Sequence, residues 1–285
     1  MIGKIRNTAK RMLCDGTVRL FLGYGKNGLG DSVPVFLKRE EDVEKLVWDE
    51  TCYYNLTRYL TDKDINRDKE GPVGLLVKGC DQKSLKVLLS EKQVKRDEIR
   101  IVGVVCGGMK DEKGELFSKC ETCDSNNPDG ELCDVVIGQK VDKEIREDDF
   151  SDIEEIEALD PAQRVHLWSR YFDRCLRCYA CRNICPLCYC TECIVEQNDP
   201  GWVPPSASKE NNLYFHIIRA YHLTGRCTDC GECERACPVG IPLRKINRKM
   251  IKAVQDSFEF VAGRDSEAKS PLTRFRQDDH EDFIK

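Results

Sequence analysis

Long apolar runs are missing from this 285-residue chain. None approaches the roughly 18 residues that a membrane-spanning helix needs. A surplus of positive charge is missing as well. With 45 Lys and Arg against 50 Asp and Glu, there is no basic face of the kind that grips nucleic acid. Met1–Leu13 carries Lys4, Arg6, Lys10 and Arg11 but no apolar centre, so it does not read as a secretory signal. Its Ile2, Ile5, Ala9, Met12 and Leu13 share one helical face. His166, His216 and His222 lie on helical, partly aromatic stretches and read as packed or exposed residues rather than ligands. No nucleophile–base constellation stands out.

Cysteine is abundant instead. There are 18, with seven between Cys175 and Cys193 and four between Cys227 and Cys237. Without an export signal, the chain is expected in a reducing cytoplasm, where clustered cysteines serve metals or redox chemistry rather than disulfides.

The fold class expected is an α/β N-terminal domain, a mixed sheet with a βαβ unit, followed by an α-rich dicluster ferredoxin-like domain. Thr17 to Gly23 and Val33 to Leu37 read as strands around a Gly/Asn turn. Glu40 to Trp48 and Cys52 to Leu60 read as helices, and Thr61 to Gly71 as a charged loop. Val73 to Lys78 and Ile99 to Val105 lack polar alternation, as strands buried on both faces do. The helix between them, capped by Asp81 and running through Leu89, makes the two strands parallel neighbours. Val135 to Ile137 is a last short strand. Asp142 to Glu157 holds nine acidic and two basic residues and reads as a linker. The expected division is 1–140, an acidic linker 141–160, a ferredoxin domain 161–260 and a polar tail 261–285 that wraps the surface. Asp160-Pro161 opens a helix to about Arg174. Asn212 to Leu223 reads as a helix with Tyr214, Ile217, Ile218 and Tyr221 facing the core.

Two runs carry the chemistry. Cys175, Cys178, Cys181 and Cys185-Pro186, then Cys227, Cys230, Cys233 and Cys237-Pro238, both have the spacing C-x2-C-x2-C-x3-C-P. Three thiolates at this pitch wrap three corners of one 4Fe–4S cluster, and the fourth reaches the other cluster. Cluster one is therefore assigned to Cys175, Cys178, Cys181 and Cys237. Cluster two is assigned to Cys227, Cys230, Cys233 and Cys185. Tyr179, Tyr189, Pro186 and Pro238 are placed to shield them from water. Zinc favours two C-x2-C hooks far apart in sequence, and the radical S-adenosylmethionine spacing Cys181-x3-Cys185-x2-Cys188 has no barrel repeat behind it.

A third 4Fe–4S site is expected from Cys80 and Cys106, at the carboxyl ends of adjacent parallel strands, with Cys120 and Cys123. Cys188, Cys190 and Cys193 remain, a set that suggests a fourth cluster whose last ligand is left open among Cys52, Cys133 and Cys14. Gly23-x-Gly25-x-x-Gly28 matches a dinucleotide fingerprint, but a strand containing Pro34 follows rather than a helix, so Asn27-Gly28 reads as a hairpin turn. Gly25, Lys26, Asn55 and Lys78 are the candidate contacts for an FAD or its phosphates.

Lys78-Gly79-Cys80-Asp81 with Cys106-Gly107-Gly108, together with Asp31 to Leu37, the Glu41-to-Trp48 segment and Cys52, resembles the β-subunit family of coenzyme F-420 hydrogenases and formate dehydrogenases over residues 12 to 138. The resemblance implies FAD beside a 4Fe–4S cluster and supports ligation by Cys80, Cys106, Cys120 and Cys123. Many members continue into a long domain that completes the flavin and deazaflavin site. Here a dicluster ferredoxin follows instead. The function expected is an iron–sulfur electron-transfer subunit whose partners are other redox subunits of a formate dehydrogenase, hydrogenase or heterodisulfide-reductase-like assembly in anaerobes. The alternative is an FAD-dependent oxidoreductase that reduces a small substrate itself.

Overall fold

The computed structural model describes residues 1–66, 71–142, 150–275 and 277, with the side chain of Asn66 left out. Five strands form one mixed sheet in the order β2-β1-β3-β4-β5. They are β1 (Leu20–Lys26), β2 (Ser32–Leu37), β3 (Val73–Lys78), β4 (Ile99–Val104) and β5 (Val135–Ile137). β1 and β2 pair antiparallel, and β1, β3, β4 and β5 run parallel. Every residue of β3 is buried, as is all of β4 except Arg100. This explains why their sequences are continuous apolar runs rather than alternating ones. Leu75, Leu76, Ile101 and Val102 are sealed from solvent, each contributing about 1.5–3 kcal/mol by burial.

Several boundaries move from the sequence reading. β1 runs on through Gly23 and Gly25 to Lys26. A Cβ on either glycine meets a side chain at 2.5 Å, that of Leu46 or of Val35. These glycines admit close packing inside a strand and do not begin a turn. The hairpin itself is made by Asn27, whose side-chain oxygen accepts from the N–H groups of Leu29 and Asp31. Glu40–Lys45 is a 3₁₀ helix, and the chain then extends so that the Val47 N–H reaches the Tyr24 carbonyl at 2.8 Å. The expected helix at Cys52 to Leu60 is a 3₁₀ turn over Leu56–Thr61, capped by Asn55. The crossover helix spans Gly79–Ser90. Asp81 lies inside it, in its first turn, and its carboxylate accepts from the Lys78 N–H at 3.2 Å.

The C-terminal half is helical: Pro161–Asp173, capped by Asp160, then Lys209–His222, capped by Ser208, and Leu243–Phe258. Of the acidic stretch, 143–149 lies outside the described residues. Ser151–Glu157 is a helix that buries Ile153, and its Asp152 pairs with Arg248 at 2.8 Å. Of the tail, Ala262 is buried, and Gly263 passes so near the Lys83 carbonyl that a Cβ meets its oxygen at 2.2 Å. Residues 276 and 278–285 lie outside the described residues. Among the described residues, no helix is long and apolar enough to cross a membrane.

Candidate iron–sulfur centres

The two C-terminal cysteine runs fold alike. Arg177 and Tyr179 in the first, and Asp229 and Gly231 in the second, take left-handed backbone angles with φ between 52° and 71°. Each run then enters a one-turn helix, Ala180–Asn183 or Glu232–Arg235. A left-handed tyrosine costs roughly 1–2 kcal/mol, and such strain persists where the surroundings over-determine it. Here the turn brings Cys175, Cys178 and Cys181 to the wall of one cavity.

Cys175, Cys178, Cys181 and Cys237 line one small cavity, closed by Phe215, Pro238 and Leu243. Tyr179 packs edge-on against Phe215 in the same wall. Burial pushes the Cys181 thiol up to about 12, and Cys175 and Cys237 add to the rise. Backbone N–H groups of Arg177 and Ile241 point at the sulfurs of Cys175 and Cys237, at 3.4 and 3.3 Å. Cys227, Cys230 and Cys233 form a second group. Burial raises each of their pKa values first, and Cys185 from the other run contributes to all three. Cys237 of the second run thus shares the first cavity, and Cys185 of the first run lies within electrostatic reach of the second group.

A third group sits at the carboxyl edge of β3 and β4. Cys80 lies in the first turn after β3 and Cys106 just beyond β4; Cys120 and Cys123 approach from the following loop. The Cys123 charge raises Cys80, and that of Cys120 raises both Cys106 and Cys123, in each case after burial. Again backbone N–H groups face sulfur: Gly108 to Cys106 at 3.3 Å, Met109 to Cys120 at 3.5 Å and Ser125 to Cys123 at 3.4 Å. Such donors stabilise thiolates and metal-bound sulfur. Among the described residues no three His, Cys, Asp or Glu side chains are drawn together to hold a single metal ion.

The second and third groups share a wall. A cavity of about 390 Å³ is lined by Cys80, Cys120 and Cys123 on one side and by Cys227 and Cys230 on the other. Lys119, buried between them, donates to the Cys230 carbonyl at 2.6 Å and lies 3.8 Å from Glu232. Ser84 and Thr228 join the halves by a 2.8 Å hydroxyl contact.

Two polar residues at the centres were missed in the sequence. On the Lys209–His222 helix the buried face is Asn212, Phe215, His216, Arg219 and Ala220. Tyr214, Ile217 and Tyr221, expected inside, are 61%, 43% and 65% exposed. The apolar pattern misleads because this face meets sulfur rather than hydrocarbon and needs N–H donors. His216 Nε2 lies 3.3 Å from Cys175 Sγ, and burial lowers its pKa to about 3. The Arg219 guanidinium donates to the Cys181 carbonyl at 3.0 Å, and the thiolates of Cys233, Cys185, Cys188 and Cys181 raise its pKa. The i, i+3 spacing of His216 and Arg219, opposite the tyrosines, was the available signal.

The flavin candidates fare differently. Lys78 is 1% exposed. Its ammonium is held by Asp81 at 2.9 Å, the Tyr24 hydroxyl at 2.5 Å and the carbonyls of Cys52 and Tyr54. Asn55 is buried against Ser84 and Thr57. Gly25 packs on Val35, and Lys26 is taken up by Asp49 and Ser32. These four residues brace the sheet edge and do not make a flavin cradle. Cys188, Cys190 and Cys193 line a separate cavity from which Cys52, Cys133 and Cys14 are absent. Cys52 is buried beside Ser32, Cys133 accepts from Gln82, and Cys14 is exposed. Tyr189, expected as a shield, donates its hydroxyl to Glu91 at 2.6 Å.

Comparison with known proteins agrees with this geometry. A model described as a 4Fe-4S binding domain matches residues 220–242. The F420-dependent formate dehydrogenase subunit beta of Methanocaldococcus jannaschii is 33% identical over 195 residues, covering 61% of this chain and 50% of that protein. The F420-dependent formate dehydrogenase 1 subunit beta of Methanococcus maripaludis is 34% identical over 110 residues, 38% of this chain and 27% of that protein. The chain thus spans half or less of the length of these relatives. Over these stretches it is similar to the F420-dependent formate dehydrogenase beta subunits, and its C-terminal half carries a match to a 4Fe-4S binding domain.

Proposed function

We propose that this chain is an iron–sulfur electron-transfer subunit of a larger redox complex of the formate dehydrogenase, hydrogenase or heterodisulfide-reductase type. The observation that carries the reading is the single cavity whose wall holds thiols from both halves, Cys80, Cys120 and Cys123 against Cys227 and Cys230. The three groups then form a file. Cys181 of the first feels the charge of Cys233 in the second, and Lys119 sits between Cys230 of the second and Cys80 of the third.

Cluster one is assigned to Cys175, Cys178, Cys181 and Cys237, cluster two to Cys227, Cys230, Cys233 and Cys185, and cluster three to Cys80, Cys106, Cys120 and Cys123. The clusters, when bound, supply one-electron redox chemistry. The chain's own residues bury Cys106, Cys120, Cys181, Cys185 and Cys233, donate backbone N–H groups to the sulfurs, and hold the halves in register through Lys119, Ser84 and Thr228. With the division proposed near residues 140 and 160, one centre lies on the α/β sheet edge and two in the helical half. FAD, which the resemblance of the N-terminal half implies, finds no cradle in Gly25, Lys26, Asn55 and Lys78, whose surroundings are taken up within the fold, so no step passes through it.

Anaerobic purification with iron and sulfide counting tests the reading. At least roughly twelve irons per chain are expected, the sum of three four-iron clusters. Cys230→Ser should remove about four and stop electron passage between the halves. A colourless, iron-poor chain overturns the proposal.

A further inference from the structure

The three groups leave Cys14, Cys52, Cys133, Cys188, Cys190 and Cys193 unassigned, and the structure brings the last three of these to one cavity. Cys188, Cys190 and Cys193 line one cavity of about 310 Å³, and the other potential ligand in its wall is His222. Cys188 is hydrogen-bonded to Cys185 of the second group. The sequence expectation sought the fourth ligand among cysteines of the N-terminal half. The last turn of the Lys209–His222 helix puts His222, and none of those cysteines, in the wall.

The walls are built for an anionic sulfur-bearing body. Arg219 is 7% exposed, and its Nε is buried with no hydrogen-bond partner while the side chain lines this cavity. An unpartnered buried guanidinium N–H is costly, and nearby sulfur acceptors relieve it. Arg182 and Arg226 complete the wall but are neutralised by Glu196 and Glu91. Arg219 therefore supplies the charge left to balance the thiolates.

We infer that Cys188, Cys190, Cys193 and His222 hold a fourth 4Fe–4S cluster, with Arg219 donating to its sulfur. The inference rests on the three-cluster reading and adds a branch beside the second group. It is tested on the full chain purified without oxygen. Wild type should carry roughly sixteen irons, four clusters' worth, and Cys188→Ser/Cys193→Ser roughly twelve. Because the double variant may disturb folding, His222→Cys provides the second arm. It should keep the full iron count while the reduced protein loses a histidine nitrogen coupling in pulsed electron paramagnetic resonance. Roughly twelve irons in wild type, unchanged in the double variant, overturns the fourth site and leaves the three clusters standing. One zinc per chain that vanishes in the double variant also overturns it. Absence of the nitrogen coupling in wild type overturns His222 as ligand. Absence of iron altogether removes the underlying reading instead.

Discussion

His216 Nε2 stands 3.3 Å from the sulfur of Cys175, with its ring stacked 4.8 Å from that of Phe172. Burial keeps the imidazole neutral, so it offers one N–H to the sulfur. Hydrogen bonds to cluster sulfurs raise reduction potentials. His216→Phe keeps the stacking and removes the donor. It should lower the potential of cluster one by on the order of tens of millivolts, leaving the others in place. A redox titration followed by electron paramagnetic resonance reads this, and an unchanged potential would sink the assignment.

Crossed ligation makes a pairing prediction. Cys178→Ser/Cys237→Ser should cost no more iron than either change alone, because both remove the same cluster, about four irons. Cys178→Ser/Cys185→Ser should cost about twice that, since Cys185 belongs with Cys227, Cys230 and Cys233. Additive loss in the first pair would argue for uncrossed runs.

Gly79 is the point where the third group is most exposed to a single methyl. A Cβ there meets the Ser125 carbonyl oxygen at 2.2 Å and that of Asn127 at 3.0 Å. Both belong to the loop that follows Cys123, and backbone cannot swing aside as a side chain can. Gly79→Ala should displace that loop and lose about four irons, while the signals of the two C-terminal clusters persist. Retention of all iron would show that the loop is more accommodating than its packing indicates.

Lys119→Met tests the junction of the halves. The Cys230 carbonyl loses its 2.6 Å donor, while Glu232 keeps Arg235 at 2.8 Å. The unsatisfied carbonyl should cost about 1–3 kcal/mol, seen as a lower unfolding midpoint. Electron passage between clusters two and three should slow in flash-reduction kinetics. A variant as stable and as fast as wild type would remove Lys119 from the junction.

Much of the site was legible because cubane ligation is local. Three thiolates within seven residues of Cys175 or Cys227 meet one cluster whatever the rest of the chain does, and the apolar runs Val73–Lys78 and Ile99–Val104 announce buried parallel strands. The sequence alone therefore determined the two ferredoxin-type runs, the βαβ unit and the position of Cys80 and Cys106 at its carboxyl edge. Only tertiary structure decided what distant segments do together. Asn212, His216 and Arg219 look like surface residues by hydropathy, yet they face inward because the neighbouring helix and turns present sulfur and carbonyl acceptors. Lys78 and Asn55 look like ligand-binding residues, yet they are consumed internally by Asp81, Tyr24 and Ser84. His222 shares a cavity with Cys188, Cys190 and Cys193 only because the Lys209–His222 helix lies against the loop that carries them, a placement with no counterpart in local spacing.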